Sequence, residues 1–181
     1  MLRHLSALVL VLLIPGLVSA QDDFRRDEEA MVRNALSAAP ASIADDATVM
    51  DLEHNVLREG TNGWVCMPHN PELPGNAPMC LDEPWMELID AWMNRREPDV
   101  RQIGFGYMLQ GDFPTSNVDP FAEEPREDNE WLGDAGPHVM MVVPDPALLE
   151  SLPTDPGNGG PWVMWRDTPY AHVMIPTPRQ P

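Results

Sequence analysis

The chain has no lysine, only two cysteines and, beyond its first twenty residues, no long apolar run. With 11 arginines against 29 acids its formal charge is −18. A surface of that sign repels nucleic acid and anionic lipid, so neither is an expected partner. Without a second apolar run, the rest of the chain offers no transmembrane segment. The two cysteines, Cys66 and Cys80, are not in a CxxC arrangement, which argues against a thioredoxin-like role. No serine lies in GxSxG, no HExxH occurs, and the acids follow no EF-hand spacing.

What is present begins with an export signature. Arg3 and His4 are followed by the apolar stretch Leu5–Leu17, and Val18-Ser19-Ala20 places small residues where a signal peptidase cuts. That stretch is too short to span a bilayer well. Residues 1–20 are therefore expected to be a cleaved signal peptide and residues 21–181 a single domain. No cysteine follows the cut, so a lipid anchor is not expected, nor is membrane attachment after cleavage. The location implied is periplasmic or secreted. Losing one arginine leaves ten against 29 acids, a charge of −19. Six tryptophans, twelve methionines and 43% apolar residues argue for a packed core despite the acidity. The 21 prolines imply short elements and stiff connections.

The chain is organised around Gly63–Met86, which holds both cysteines. Pro68, Pro71, Pro74, Gly75 and Pro78 keep the intervening segment from regular helix or interior strand. In an oxidising compartment two cysteines most often pair. A Cys66–Cys80 bridge would tie a strand end to a helix start, closing a loop of about 15 residues at roughly 3 kcal/mol. Free thiols or thiolate metal ligands are the alternatives.

Around it, Asp22–Ala39 reads as an opening helix capped by Asp22 or Asp23 and stopped at Pro40. Ala47–Met67 reads as a three-stranded antiparallel meander, with strands at 47–52, 55–58 and 63–67. Asp82–Arg96 is the strongest helix: Asp82 caps it, Pro84 sits in its first turn, and Trp85, Leu88, Ile89, Trp92 and Met93 recur at helical spacing. Val100–Gln110 alternates, with Ile103, Phe105, Tyr107 and Leu109 on one face and Gly104, Gly106 and Met108 on the other. Gly111–Pro137 has no convincing periodicity and reads as a solvated acidic loop, a calcium site being the sharper alternative. His138–Val143 is a buried strand, Asp145-Pro146 opens a short helix, and Pro161–Trp165 with Tyr170–Ile175 forms a hairpin. The expected fold is a single α+β domain with an antiparallel sheet of about five to seven strands and two main helices packed on it.

Chemistry has few footholds. His138-Val139-Met140 and His172-Val173-Met174 repeat one triplet, each on an expected strand, so each His shares a face with its Met. If the strands were neighbours in register, His138, Met140, His172 and Met174 would gather imidazole and thioether donors, the ligands copper(I) prefers. Met67, His69 and Met79 could add to them. Otherwise these residues serve the core, as methionine does generally. For catalysis the inventory reduces to an acid/base set of Asp112, His138, His172 and Tyr170. Glycines 104 and 106 leave room for an indole or a ligand to approach the strand, making Gly104, Gly106, Tyr107, His138 and His172 the pocket candidates.

The strings GWVCMP, MCLDEPWM, GYMLQGD, GPHVM, PWVMW and TPYAHVMIP together resemble a group of small exported bacterial proteins to which no activity is attached. The resemblance implies export and one domain, and carries over no functional residue. Three functions follow in order of economy: a non-catalytic exported domain binding a small molecule or protein, a copper or other metal binder, and a hydrolase-like enzyme with a His acid/base.

Overall fold

The computed structural model describes residues 27–178; the expected signal segment and the capping aspartates Asp22 and Asp23 lie outside them. Within that range the protein is α+β. Residues 27–36 are helical (α1), followed by the one-turn α2 (Ala41–Ala44) and by α3 (Glu83–Met93). The strands are β1 (Thr48–Met50), β2 (Val56–Arg58), β3 (Val65–Met67), β4 (Met79–Leu81), β5 (Gly104–Met108), β6 (Thr115–Ser116), β7 (Trp131–Leu132), β8 (His138–Val142), β9 (Trp162–Met164) and β10 (His172–Pro176). Eight of them form one sheet in the order β2-β1-β3-β4-β5-β8-β10-β9, and β6 and β7 pair separately. No described helix is long and apolar enough to cross a membrane.

The sheet departs from expectation in number and in direction. It has eight strands rather than five to seven, and it is mixed, because β1 and β3 are parallel while every other pair is antiparallel. The expected meander is rearranged: β1 lies between β2 and β3. The cause is the connection 59–64, which passes across the start of β1 instead of turning back on β2. Gly60 is pressed so close to that start that a Cβ on it would lie 2.1 Å from the Thr48 nitrogen. Asp46 O accepts the Thr61 and Asn62 N–H groups, and the Asn62 side chain donates to Ile43 O. Arg58 fastens the same corner by donating to the Ala44 and Ala47 carbonyls.

Cys66 and Cys80 are disulfide-bonded. They are direct cross-strand partners in β3 and β4, so the bridge staples two strands rather than a strand to a helix start. β4 went unread in the sequence because its three residues follow a proline-rich run without a period of their own. The sulfurs face a cluster with Ala35, Ala38 and Val49, which α1 covers.

The opposite face of the sheet carries the main core under α3. The helix begins where expected, with the Asp82 carboxylate accepting the Trp85 N–H at 3.2 Å and, through its other oxygen, the Phe105 N–H at 2.6 Å. One side chain thus caps the helix and pins it to β5. The helix ends at Met93, earlier than the sequence suggested. Met93 is 58% exposed, and Ala91 takes its place in the buried stripe. Beyond the helix, Arg96 makes a two-pronged pair with Glu87, and the Arg96 carbonyl accepts the Tyr170 hydroxyl.

Residues 111–137 are not an open acidic loop. They contain the β6–β7 pair and fold over the end of α3. Pro120 O accepts the Trp92 indole N–H at 2.9 Å, and the Phe121 ring lies against Tyr170 and under the Arg95 guanidinium. The buried Asn117 joins this segment to β9: its Oδ1 accepts the Trp162 indole N–H, its Nδ2 donates to Glu130 and to Thr154 O, and its carbonyl accepts the Trp165 N–H.

Candidate functional site

The register of the central strands decides what the two His-Val-Met triplets can do. β8 and β10 are neighbours, as the sequence reading required, but antiparallel, with Met174 opposite Met140 and His138 opposite Pro176. The two thioethers therefore meet on one face. The two imidazoles sit at opposite ends of the ladder, four residues apart along β10 and so about 13 Å apart along the strand. His172 faces Met164 of β9 instead. The four-residue cluster imagined from sequence separates into two environments.

The first is a cavity of about 100 Å³ between the sheet, α3 and the 111–137 segment. Its floor is methionine from five strands: Met79, Met108, Met140, Met164 and Met174. Its roof is the α3 stripe of Trp85, Leu88, Ile89 and Trp92, and Phe113, Thr115 and Trp165 close the side. Only Asp112, His172 and Thr115 bring polar side chains to it. Trp85, Leu88, Ile89 and Trp92 are thus core and cavity wall together, whereas Met93 of the same expected stripe belongs to neither.

His172 is fully buried in this wall. Its Nδ1 lies 2.9 Å from the Tyr170 carbonyl, so Nδ1 carries the proton and Nε2 the lone pair. Trp85 and Trp165 meet the ring edge-on, with centroids 5.1 and 5.0 Å away. Burial disfavours the imidazolium and lowers the ring's pKa to about 4, so it is neutral at physiological pH. The Trp85 indole N–H is buried with no hydrogen-bond partner.

The second environment is the pair Asp112 and His138. The Asp112 carboxylate oxygen lies 4.0 Å from His138 Nε2, and both side chains are buried. His138 Nδ1 is 2.7 Å from the Gly136 carbonyl, which leaves Nε2 facing the carboxyl without a hydrogen bond. Desolvation raises the Asp112 pKa; the neighbouring His138 opposes that, and Asp134 adds to it. Asp112 also lines the cavity, so it is the one group common to both environments.

The remaining candidates are occupied elsewhere. A Cβ on Gly104 would lie 2.6 Å from Pro84 Cβ, and one on Gly106 would lie 2.8 Å from both Leu81 and Met140 side-chain carbons. The glycines admit the start of α3, with the Trp85 indole over Gly106, and not a ligand. Tyr107 is on the other face, against Trp64 with ring centroids 5.5 Å apart. Tyr170 is committed to Arg96 O. His69 accepts the Ala77 N–H inside the cysteine loop, and Met67 packs in the core without reaching the cavity. Among the described residues no three His, Cys, Asp or Glu side chains converge as a metal set, and the acids of 111–137 do not gather for calcium. Met164, Trp92 and Trp165 complete the cavity and were not singled out as site residues by sequence. Only their position opposite or above the second triplet reveals them.

No family model, curated protein or solved structure matches the chain. The site therefore has to be read from its own chemistry.

Proposed function

We propose that the protein is an exported, non-catalytic binding domain whose site is the methionine- and tryptophan-walled cavity under α3. The observation that carries this reading is the composition of the wall: five thioethers and three indoles against a single imidazole, carboxyl and hydroxyl. Such a wall holds an occupant by dispersion and soft contacts, and has few groups with which to transform it. The cavity is well below the roughly 300–1,000 Å³ of sites for drug-sized ligands, so the occupant is small. Export is supported by the N-terminal signature and by the paired cysteines. The hydrolase-like alternative has the Asp112–His138 approach in its favour, but His172 and Tyr170 do not join that pair.

The test is methionine methyl NMR of protein labelled at Met Cε, under xenon and with dissolved benzene. The ε-methyls of Met79, Met108, Met140, Met164 and Met174 are expected to move together, while exposed Met93 stays still. If no probe moves the cavity methyls, the binding reading is wrong.

A further inference from the structure

We propose that the cavity takes a soft monovalent d¹⁰ cation, copper(I) by its chemistry, bound through His172 Nε2 and the thioethers of Met164, Met174 and Met140. This rests on the cavity reading above and names its occupant.

The sheet itself assembles the donors. His172 and Met164 are direct cross-strand partners, and Met174 and Met140 are another such pair, two residues along β10 on the same face. Directly opposed residues have Cβ atoms about 4.5–5.5 Å apart and diagonal neighbours about 7–8 Å, within reach for three flexible thioethers and a ring nitrogen to close on one ion. All four side chains are buried and all line the same cavity. This is not the set expected from the repeated triplet. Met164 replaces His138, because the antiparallel register carries His138 to the far end of the ladder.

Four features select the class of ion. Three of the four donors are neutral thioethers, which favour copper(I) over zinc, which takes imidazole, thiolate or carboxylate, and over calcium and magnesium, which take oxygen. The imidazole is presented ready to bind: its Nδ1 proton is held by the Tyr170 carbonyl, the arrangement that orients histidine ligands and leaves Nε2 free. The site also offsets the cost of burying a positive charge. Trp85 and Trp165 flank His172 with π-systems that attract cations, Asp112 shares the wall, and the chain is strongly anionic. A volume near 100 Å³ suits an ion with its ligands better than an organic cofactor.

Silver(I) is the probe, because it is redox-silent and needs no reductant that would open the Cys66–Cys80 bridge. Full-length protein is titrated with silver nitrate in chloride-free buffer and followed by calorimetry and by Met Cε NMR. The expected result is one ion per chain, with shifts at Met140, Met164, Met174 and the His172 ring. A Met164→Leu/Met174→Leu variant conserves volume and should fold. Its affinity is expected to fall about 100-fold or more, since even groups that only orient a ligand are worth about 10–100-fold. His172→Phe, which keeps a ring between the two indoles, should lose affinity similarly. Equal affinity in wild type and the double-leucine variant, or shifts confined to methionines outside the cavity, overturns the assignment. If xenon and benzene move the cavity methyls but silver does not, the metal proposal fails and the cavity reading stands. If none of the probes moves them, both fail.

Discussion

The burial of His172 makes a quantitative demand on the acid stability of the fold. An unfolded histidine titrates near 6.5, whereas burial holds the folded ring near 4. Between those values the unfolded chain binds more protons than the native one. The stabilisation from this group is therefore complete above about pH 6.5, falls as pH drops toward 4, and changes no further below that. The pKa difference corresponds to roughly 3 kcal/mol, a large share of a total that is typically about 5–15 kcal/mol. Urea denaturation of wild type and His172→Phe, followed by far-UV circular dichroism at several pH values from 7.5 to 4, isolates the contribution. The phenylalanine ring keeps the edge contacts to Trp85 and Trp165 but cannot take a proton. Other groups titrate in both proteins, so the difference between the two curves belongs to His172. The variant should gain about 3 kcal/mol on wild type as pH falls from 6.5 to 4, a midpoint change of roughly 1–3 M urea. Parallel curves would mean that the imidazole is protonated or solvated in the native state, and the account of the cavity wall would be wrong.

Other consequences are smaller and more local. Gly104→Ala should destabilise more than Gly106→Ala within the usual range of about 1–3 kcal/mol for overpacking, because the first meets the fixed Pro84 Cβ and the second the movable ends of Leu81 and Met140; thermal melts of the pair decide it. Asp82→Ala removes both the α3 cap and the bond to Phe105 N–H and is expected to cost about 2–3 kcal/mol in chemical denaturation, more than a cap alone. Asn117→Ala should speed amide hydrogen exchange across residues 111–137 while leaving β3 and β4 protected, since Asn117 joins that segment to β9. Replacing both cysteines by alanine should lower stability by up to about 3 kcal/mol, and adding a thiol reductant to wild type should reproduce most of that loss in a urea titration.

Much of this architecture was readable in the chain because local chemistry and tertiary packing agree. Asp82 and Pro84 announce α3, and the Trp85, Leu88, Ile89 and Trp92 spacing gives its buried face. The alternation of 104–108 gives β5, and the two glycines signal a close approach that proves to be the helix. What could not be read was non-local. Nothing near Glu59–Trp64 announces that the chain will pass across β1 and pair in parallel; Gly60 is legible as a turn residue, not as a crossing. The strands β4, β6 and β7, of two or three residues each, are too short to show a period. For the site, the repeated triplet pointed to two strands that do lie side by side, β8 and β10. Antiparallel register is a property of the pairing, and it exchanged one histidine for Met164.

The staple and the cavity share the short strand β4, which carries both Cys80 and Met79. The register that sets Cys66 opposite Cys80 on one face of the sheet sets Met67 opposite Met79 on the other, and Met79 is part of the cavity floor. Three-residue strands joined through a proline-rich segment have little ladder of their own to hold that register, so the disulfide does so from the opposite side. An oxidising space able to close such a bridge would also restrict which soft donors a binding site can use. Thiols pair there, whereas thioethers and imidazoles keep their lone pairs. An exported site for a soft cation would then be built from methionine and histidine, with cysteine kept for the frame. That division matches where this chain places its two cysteines, its second His-Val-Met triplet and Met164.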